Sequence, residues 1–142
     1  VPPDLTPAPA LAHDLRIACM RVARMVRFDG DNLIAPHLFS VLARLADGPR
    51  TVGELAAAEL ITAPSMSRSC TQLCELGLVE RHSDEHDGRL VRLSLTDAGR
   101  ELVAEERARR DAWMGERLEG LTQEERDVLE RATVILGAVI AR

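Results

Sequence analysis

Apolar residues recur along this chain at two different periods, and the change of period predicts the fold. From Leu11 they return at helical spacing, through Leu15, Ala18 and Cys19, Val22 and Val26. The opposite face of that helix is basic, with Arg16, Arg21, Arg24 and Arg27. Asp29-Gly30-Asp31-Asn32 is a break. Pro36 suits a first helical position, and Leu38, Val41, Leu42 and Leu45 give the next helix one apolar face. Asp47-Gly48-Pro49 stops it. Thr51 and Glu54 then have capping-box spacing, each side chain able to satisfy the other residue's free backbone N–H, ahead of a short alanine-rich helix from Val52 to Glu59. Thr62 is the expected N-cap of a further helix, with Pro64 tolerated in its first turn. Met66, Cys70 and Leu73 should face inward with Ser69 beside them, leaving Ser65, Ser67, Arg68, Thr71 and Gln72 outside. Gly77 closes this helix.

The period then drops to two. Leu78 to Arg81 begins a strand, Asp84–Gly88 is a turn, and Val91, Leu93 and Leu95 alternate with Arg92 and Ser94. One face of this hairpin should be buried and one wet. Thr96 caps a long helix expected from Asp97 to about Glu119, with a charged centre over 105–111. Thr122 and Glu125 form a second capping box, and Val128, Leu129, Ala132, Ile135, Leu136, Val139 and Ile140 make the closing helix amphipathic. The class is mainly α with a small β-hairpin. Four stretches are expected: a flexible proline-rich arm at 1–9, a helix and linker at 10–34, a compact unit with the hairpin at 35–97, and two helices over 98–142.

Composition narrows what such a fold can do. At 142 residues and 46% hydrophobic the chain can bury one real core. No apolar run approaches the ~18 residues of a membrane span. The first ten residues lack a signal-peptide pattern, and three irregularly spaced cysteines make no disulfide framework, so a cytoplasmic setting is expected. Net charge is −5, and even 51–99 holds more acids than bases. All 18 basic residues are arginine, the better fork for phosphate and minor-groove contacts.

A helix with a face of small hydroxyls and one arginine, followed by a hairpin with Arg89 at its tip, is how a winged helix-turn-helix addresses duplex DNA. With the net charge negative, binding would rest on a few placed arginines and helix-end dipoles. Arg68 can bond guanine O6 and N7 together, or touch phosphate alone. Thr62, Ser65, Ser67 and Thr71 can reach phosphate or base or simply be solvated, and Gln72 lies nearer the DNA backbone. Arg89 suits a narrow A·T-rich minor groove, while Asp87 would hold the wing turn or pair with an arginine. The basic face of the first helix is a solvated face, a partner contact or a DNA-backbone contact.

Two phrases carry a family resemblance: VGELAAAELITAPSMSRSCTQLCELGLVER and DGRLVRLSLTDAGR. Glu54-Leu55-Ala56, Leu73, Gly77-Leu78-Val79 and Arg81 in the first, and Asp87, Arg89, Leu93, Leu95, Thr96 and Gly99 in the second, resemble the MarR family of bacterial transcription regulators. The resemblance covers nearly the whole chain from Leu11. It implies a winged helix-turn-helix and a homodimer held by the first and last helices. The apolar stripes suit that role: Leu11, Leu15, Val128, Ala132, Ile135, Leu136, Val139 and Ile140 are the expected interface. Two-fold symmetry implies a pseudo-palindromic duplex site with half-sites about one turn, roughly 10 bp, apart. The resemblance also implies a repressor released by a small aromatic or anionic effector. Its pocket would draw on His13, Arg16, Cys19, His37, Phe39 and Trp113, although packing also accounts for most of these.

Other chemistry is weaker. Cys19 is a small core residue or a reactive thiol of a redox-responsive repressor; the hydroperoxide sensors of the family surround that thiol with tyrosines, and this chain has none. Cys70 and Cys74, one turn apart, fit core and partial exposure or a thiol switch. His82 and His86 flank the wing turn, but no ligand set has metal-binding spacing, and no nucleophile arrangement, phosphate-binding glycine loop or paired catalytic carboxylates stands out. No enzyme activity and no cofactor are expected. The remaining alternative is a winged-helix protein-interaction module without DNA binding, which the negative charge favours.

Overall fold

In the computed structural model residues 9–29 and 31–141 are described. The elements run α1 (Pro9–Phe28), α2 (Pro36–Leu45), β1 (Arg50–Thr51), α3 (Val52–Glu59), α4 (Ala63–Glu75), β2 (Val79–Ser83), β3 (Val91–Leu95), α5 (Asp97–Leu118) and α6 (Gln123–Ile140). The chain divides into two compact units, the first ending at Ala108 and the second beginning at Arg109.

The first unit holds the core. Leu38, Val41, Leu42 and Leu45 of α2 meet Leu55 of α3, Met66, Cys70 and Leu73 of α4, Leu93 and Leu95 of β3, and Val103 of α5. The inward faces of α2 and α4 are the ones their periodicity predicts. Thr51 caps α3 through the full box, its Oγ1 accepting from Glu54 N at 3.1 Å while Glu54 Oε2 accepts from Thr51 N at 3.1 Å. At the end of α4, Gly77 takes φ 73, and Leu78 N reaches back to Leu73 O at 3.0 Å. This reversal, open to glycine at little cost, turns the chain straight into β2.

Three features depart from the sequence reading. The hairpin is part of a three-stranded sheet, order β1-β3-β2: Arg50 and Thr51 pair antiparallel with Leu93 and Arg92. A two-residue strand leaves no period to read. Val91, expected inside with Leu93 and Leu95, is 48% exposed, because the hairpin has run past the core by that register. Pro9, expected in the arm, is the first residue of α1; residues 1–8, the rest of that expected arm, lie outside the described residues.

The compact unit also takes in the first turns of α5 beyond 97, because Gly99, Val103 and Glu106 form a buried stripe at i, i+4, i+7. Glu106 is fully buried, and its Oε2 accepts from Leu33 N at 3.3 Å in the loop before α2. At the root of α5, Thr96 Oγ1 accepts from Gly99 N at 3.1 Å and donates to Gly77 O at 2.7 Å, so one hydroxyl caps α5 and holds the end of α4.

α1 has no buried residue. In the second unit, the end of α5 turns through Leu121 into α6, whose Thr122–Glu125 capping box is formed. α6 has no buried residue either, with Val128, Ile135, Val139 and Ile140 exposed and Ala132 and Leu136 half-buried.

Candidate nucleic-acid interface

α4 presents its polar face outward as its spacing predicts: Ser67, Arg68, Thr71 and Gln72 are exposed and Ser65 is half-buried. The N-terminus is organised by a relay of hydroxyls. Thr62 Oγ1 accepts from Ser65 N at 3.4 Å and donates to Ser65 Oγ at 3.0 Å, and that oxygen accepts from Arg68 Nη2 at 3.2 Å. The relay draws the Arg68 guanidinium toward the helix N-terminus, the end that favours anions. No acidic partner holds Arg68 among the described residues.

Thr71 is engaged differently. Its Oγ1 accepts from Arg81 Nη2 at 3.0 Å, so an arginine of β2 stands on the outer face of α4. Local spacing gives Arg81 no contact of its own; the signal for one is the period-two strand, which puts it two residues from buried Val79 on a hairpin that begins at the C-terminus of α4.

The wing is built by two aspartates. Asp84 Oδ1 accepts from His86 N at 2.8 Å and Asp87 N at 2.9 Å, and its other oxygen pairs with Arg92 Nε. These donors, Arg92 first, hold the Asp84 carboxyl well below the usual carboxylate range and push the Arg92 guanidinium up. Arg92 also reaches Glu54 of the α3 cap at 3.5 Å, so one side chain ties the wing turn to the helix-turn-helix. Asp87 Oδ1 accepts from Arg89 N at 3.0 Å and Arg89 Nε at 3.4 Å, both of the roles expected of it. The Arg89 side chain is nonetheless 95% exposed.

The low Asp84 value sets a pH dependence. A carboxyl depressed in the folded state contributes stability that is complete above its unfolded value, about 4, and is lost as pH falls through the folded one. Wing amides should therefore stay protected from hydrogen exchange at mildly acidic pH and open below about pH 4. In Asp84→Asn they should be less protected at neutral pH, and that acid step should vanish. An unchanged acid profile in Asp84→Asn would assign the step to another group.

The turn between α3 and α4 contains Leu60 at φ 55, the one positive-φ non-glycine among the described residues, and its side chain is 91% exposed. An ordinary side chain held there costs about 1–2 kcal/mol, and no packing of Leu60 offsets it. The turn is nonetheless closed by Ile61 N on Ala56 O at 3.1 Å.

Of the six residues of the expected effector pocket, five lie in the first unit and Trp113 lies in the second. Phe39 is 6% exposed in the core and is a packing residue. His37 lines a cavity of about 230 Å³ with Arg27, Val41, Glu59, Ile61, Met66 and Ser69, a set that includes none of the other five. His13, Arg16 and Cys19 are exposed on α1, Arg16 bonding Met20 Sδ at 3.4 Å. Burial of Cys19 as a core residue is not seen within this chain. Trp113, in the second unit, lies under the Arg117 guanidinium at 3.3 Å. Cys70 is buried, which pushes its thiol up and makes it unreactive, while Cys74 is half-buried.

Residues 36–90, from the start of α2 to the wing tip, match the model of the MarR family. An uncharacterised HTH-type transcriptional regulator of Mycobacterium bovis is 38% identical over 132 residues, covering 92% of each chain. The chain belongs to the MarR family. A MarR family protein of Bacillus stearothermophilus superimposes with a TM-score of 0.76 at 26% identity, covering 94% of each chain. MepR of Staphylococcus aureus, solved bound to an oligodeoxyribonucleotide, shares the fold with a TM-score of 0.64 at 22% identity, over 90% of this chain and 96% of that one. The helix-turn-helix of this MarR protein is therefore α3 and α4, and its wing is β2, β3 and their turn.

Proposed function

We propose that this MarR family regulator is a homodimeric repressor that binds a pseudo-palindromic duplex site and is released by a small-molecule effector. The observation that carries the reading is the pairing of two exposed cationic points with two distinct elements. Arg68, in the second turn of α4 and reaching back to Ser65, has no acidic partner among the described residues, and Arg89 stands at the wing tip, 95% exposed. α4 enters the major groove, where Arg68 reads guanine and Thr62, Ser65 and Ser67 meet phosphate or base edges. Thr71, braced by Arg81, and Gln72 contact the backbone, and Arg89 enters the minor groove. That MepR was solved on an oligodeoxyribonucleotide supports this use of the shared fold.

The dimer reading rests on uncovered apolar surface. Leu11, Leu15, Val128, Ile135, Val139 and Ile140 are all exposed, Ile140 to 83%, with half-buried Ala132 and Leu136 between them. Such stripes are characteristic of helices that bury themselves in a second copy. An effector releases DNA only if it binds better to the arrangement in which the two α4 helices no longer fit successive grooves. No helix of the described residues is long and apolar enough to cross a membrane, and a duplex DNA partner fits the cytoplasmic setting expected of the chain.

The net charge of −5 favours a second reading, a winged-helix protein-interaction module. Salt separates the two. With affinity confined to a few arginines, the log–log slope of duplex binding against salt should be modest, about −0.9 per phosphate neutralised. Absence of duplex affinity at low salt, against a random pool, would establish the second reading. The exposure of Cys19 favours a redox-responsive variant of the first, in which peroxide releases DNA from wild type and not from Cys19→Ser.

A further inference from the structure

From Glu80 to Arg92 the wing has no buried residue, so packing does not fix its angle to the helix-turn-helix. Arg92 is also the last residue of β3 that pairs with β1; toward the tip the hairpin has only itself. A two-stranded hairpin alone is marginal in water and pivots unless something holds it. Among the described residues two side-chain bonds do so, one from each strand to a different helix. Arg81 Nη2 of β2 donates to Thr71 Oγ1 of α4 at 3.0 Å, and Arg92 Nη1 of β3 donates to Glu54 Oε2 of α3 at 3.5 Å.

The chemistry of Arg92 suits a strut better than a DNA contact. Its Nε pairs with Asp84, whose side chain is 9% exposed, while Nη1 takes Glu54, so one planar fork grips the wing turn and the α3 cap at once. Glu54 is fixed in turn, its Oε2 accepting from Thr51 N at 3.1 Å. The space beside the link is open: the guanidinium lines a cavity of about 340 Å³ with Arg50, Leu55 and Ala58. With two carboxylates on one cation, no charge is left over for phosphate.

We propose that Arg92 is a positioning residue for DNA recognition: by bracing the wing against α3 it fixes the spacing between the base pairs read by α4 and the minor groove entered by Arg89. The proposal rests on the DNA-binding reading above and adds a source of specificity to it. A wing free to pivot meets many groove positions equally well, whereas a braced one meets one. The sequence preference at the wing then comes from Arg92, which touches no base, as well as from Arg89.

The test is fluorescence anisotropy at fixed salt with a duplex selected by the wild-type protein from a random pool. Arg92→Lys keeps the charge but not the fork and should weaken binding about tenfold, as should Arg92→Gln. Glu54→Gln removes a negative charge yet keeps the α3 cap, because glutamine also serves at that position of a capping box; it should nonetheless weaken binding about threefold. In an Arg89→Ala background these losses should disappear, with affinities within about twofold of Arg89→Ala alone. Pools selected by Arg92→Lys should keep the base pairs read by α4 and lose the preference at the flanking wing positions. The melting temperature should stay within about 2 °C of wild type, because the core lies elsewhere. Wild-type affinity in Arg92→Lys would overturn the proposal, since lysine can serve a phosphate contact but not the strut. Losses that add to that of Arg89→Ala, or tighter binding by Glu54→Gln, would overturn it too, with the DNA-binding reading intact. Absence of duplex binding by the wild type would remove that reading, and the proposal with it.

Discussion

Replacing Gly99 by alanine is expected to destabilise the fold by on the order of 3 kcal/mol, the upper range for forcing atoms into a filled site. For a chain of this length that lowers the thermal midpoint by roughly 10 °C. A Cβ on Gly99 would overlap the Leu78 carbonyl oxygen and lie 3.1 Å from its carbon and 3.3 Å from Leu95 Cδ2. The obstacle is backbone, which cannot swing aside as a flexible side chain can. That carbonyl also accepts from Thr96 N at 3.1 Å, and Thr96 caps α5 while bonding Gly77 O. Relieving the overlap therefore pulls at the end of α4, the cap of α5 and the root of the wing together. Circular dichroism melts of wild type and Gly99→Ala provide the measurement. A midpoint within about 2 °C of wild type would mean that the two segments separate easily.

Arg89→Ala is expected to weaken duplex binding by about tenfold or more at fixed salt and to make the salt slope shallower, with the melting temperature unchanged. Fold and function separate at this position for a physical reason. The side chain is 95% exposed and its ion pair with Asp87 is an exposed one, worth little to stability. The same exposure leaves the guanidinium free to enter a groove, and the bond from its own backbone N to Asp87 aims the tip. In a two-fold assembly the loss occurs twice on each site. Fluorescence anisotropy with a duplex selected from a random pool gives the affinity. Near-wild-type binding would remove the wing from the interface and leave recognition to Arg68 and the α4 face.

Much of the fold was legible in the chain because local signals and burial agree. Capping boxes at Thr51–Glu54 and Thr122–Glu125, the αL glycine at position 77, and the i, i+4, i+7 spacing of Met66, Cys70 and Leu73 are each decided within one or two turns of helix. The polar face of α4 follows from the last of these, because burying one face of a helix exposes the other. Arg89 was legible as a turn residue flanked by a strand, with Asp87 set to hold it.

What escaped the sequence depends on distant segments meeting. β1 exists only because β3 lies alongside it. Glu106 sits in a charged run, and part of its burial comes from the arrival of the loop at Leu33. Arg92 looked like one more residue on the wet side of a strand until Asp84 and Glu54 closed on it from two elements. Phe39 looked available to a ligand until the core enclosed it.

By itself, then, the sequence determined where helices start and stop, which faces are apolar, and that a polar helix and an arginine-tipped hairpin lie in one unit. Those are properties of neighbours along the chain, where spacing and capping act over a few residues. Only the tertiary structure decided which charges are paired and which stand free. That depends on side chains remote in sequence, and it is why Arg92 is tied to both Asp84 and Glu54 while Arg68 has no acidic partner among the described residues; Arg89, paired only with its neighbour Asp87, keeps its side chain exposed.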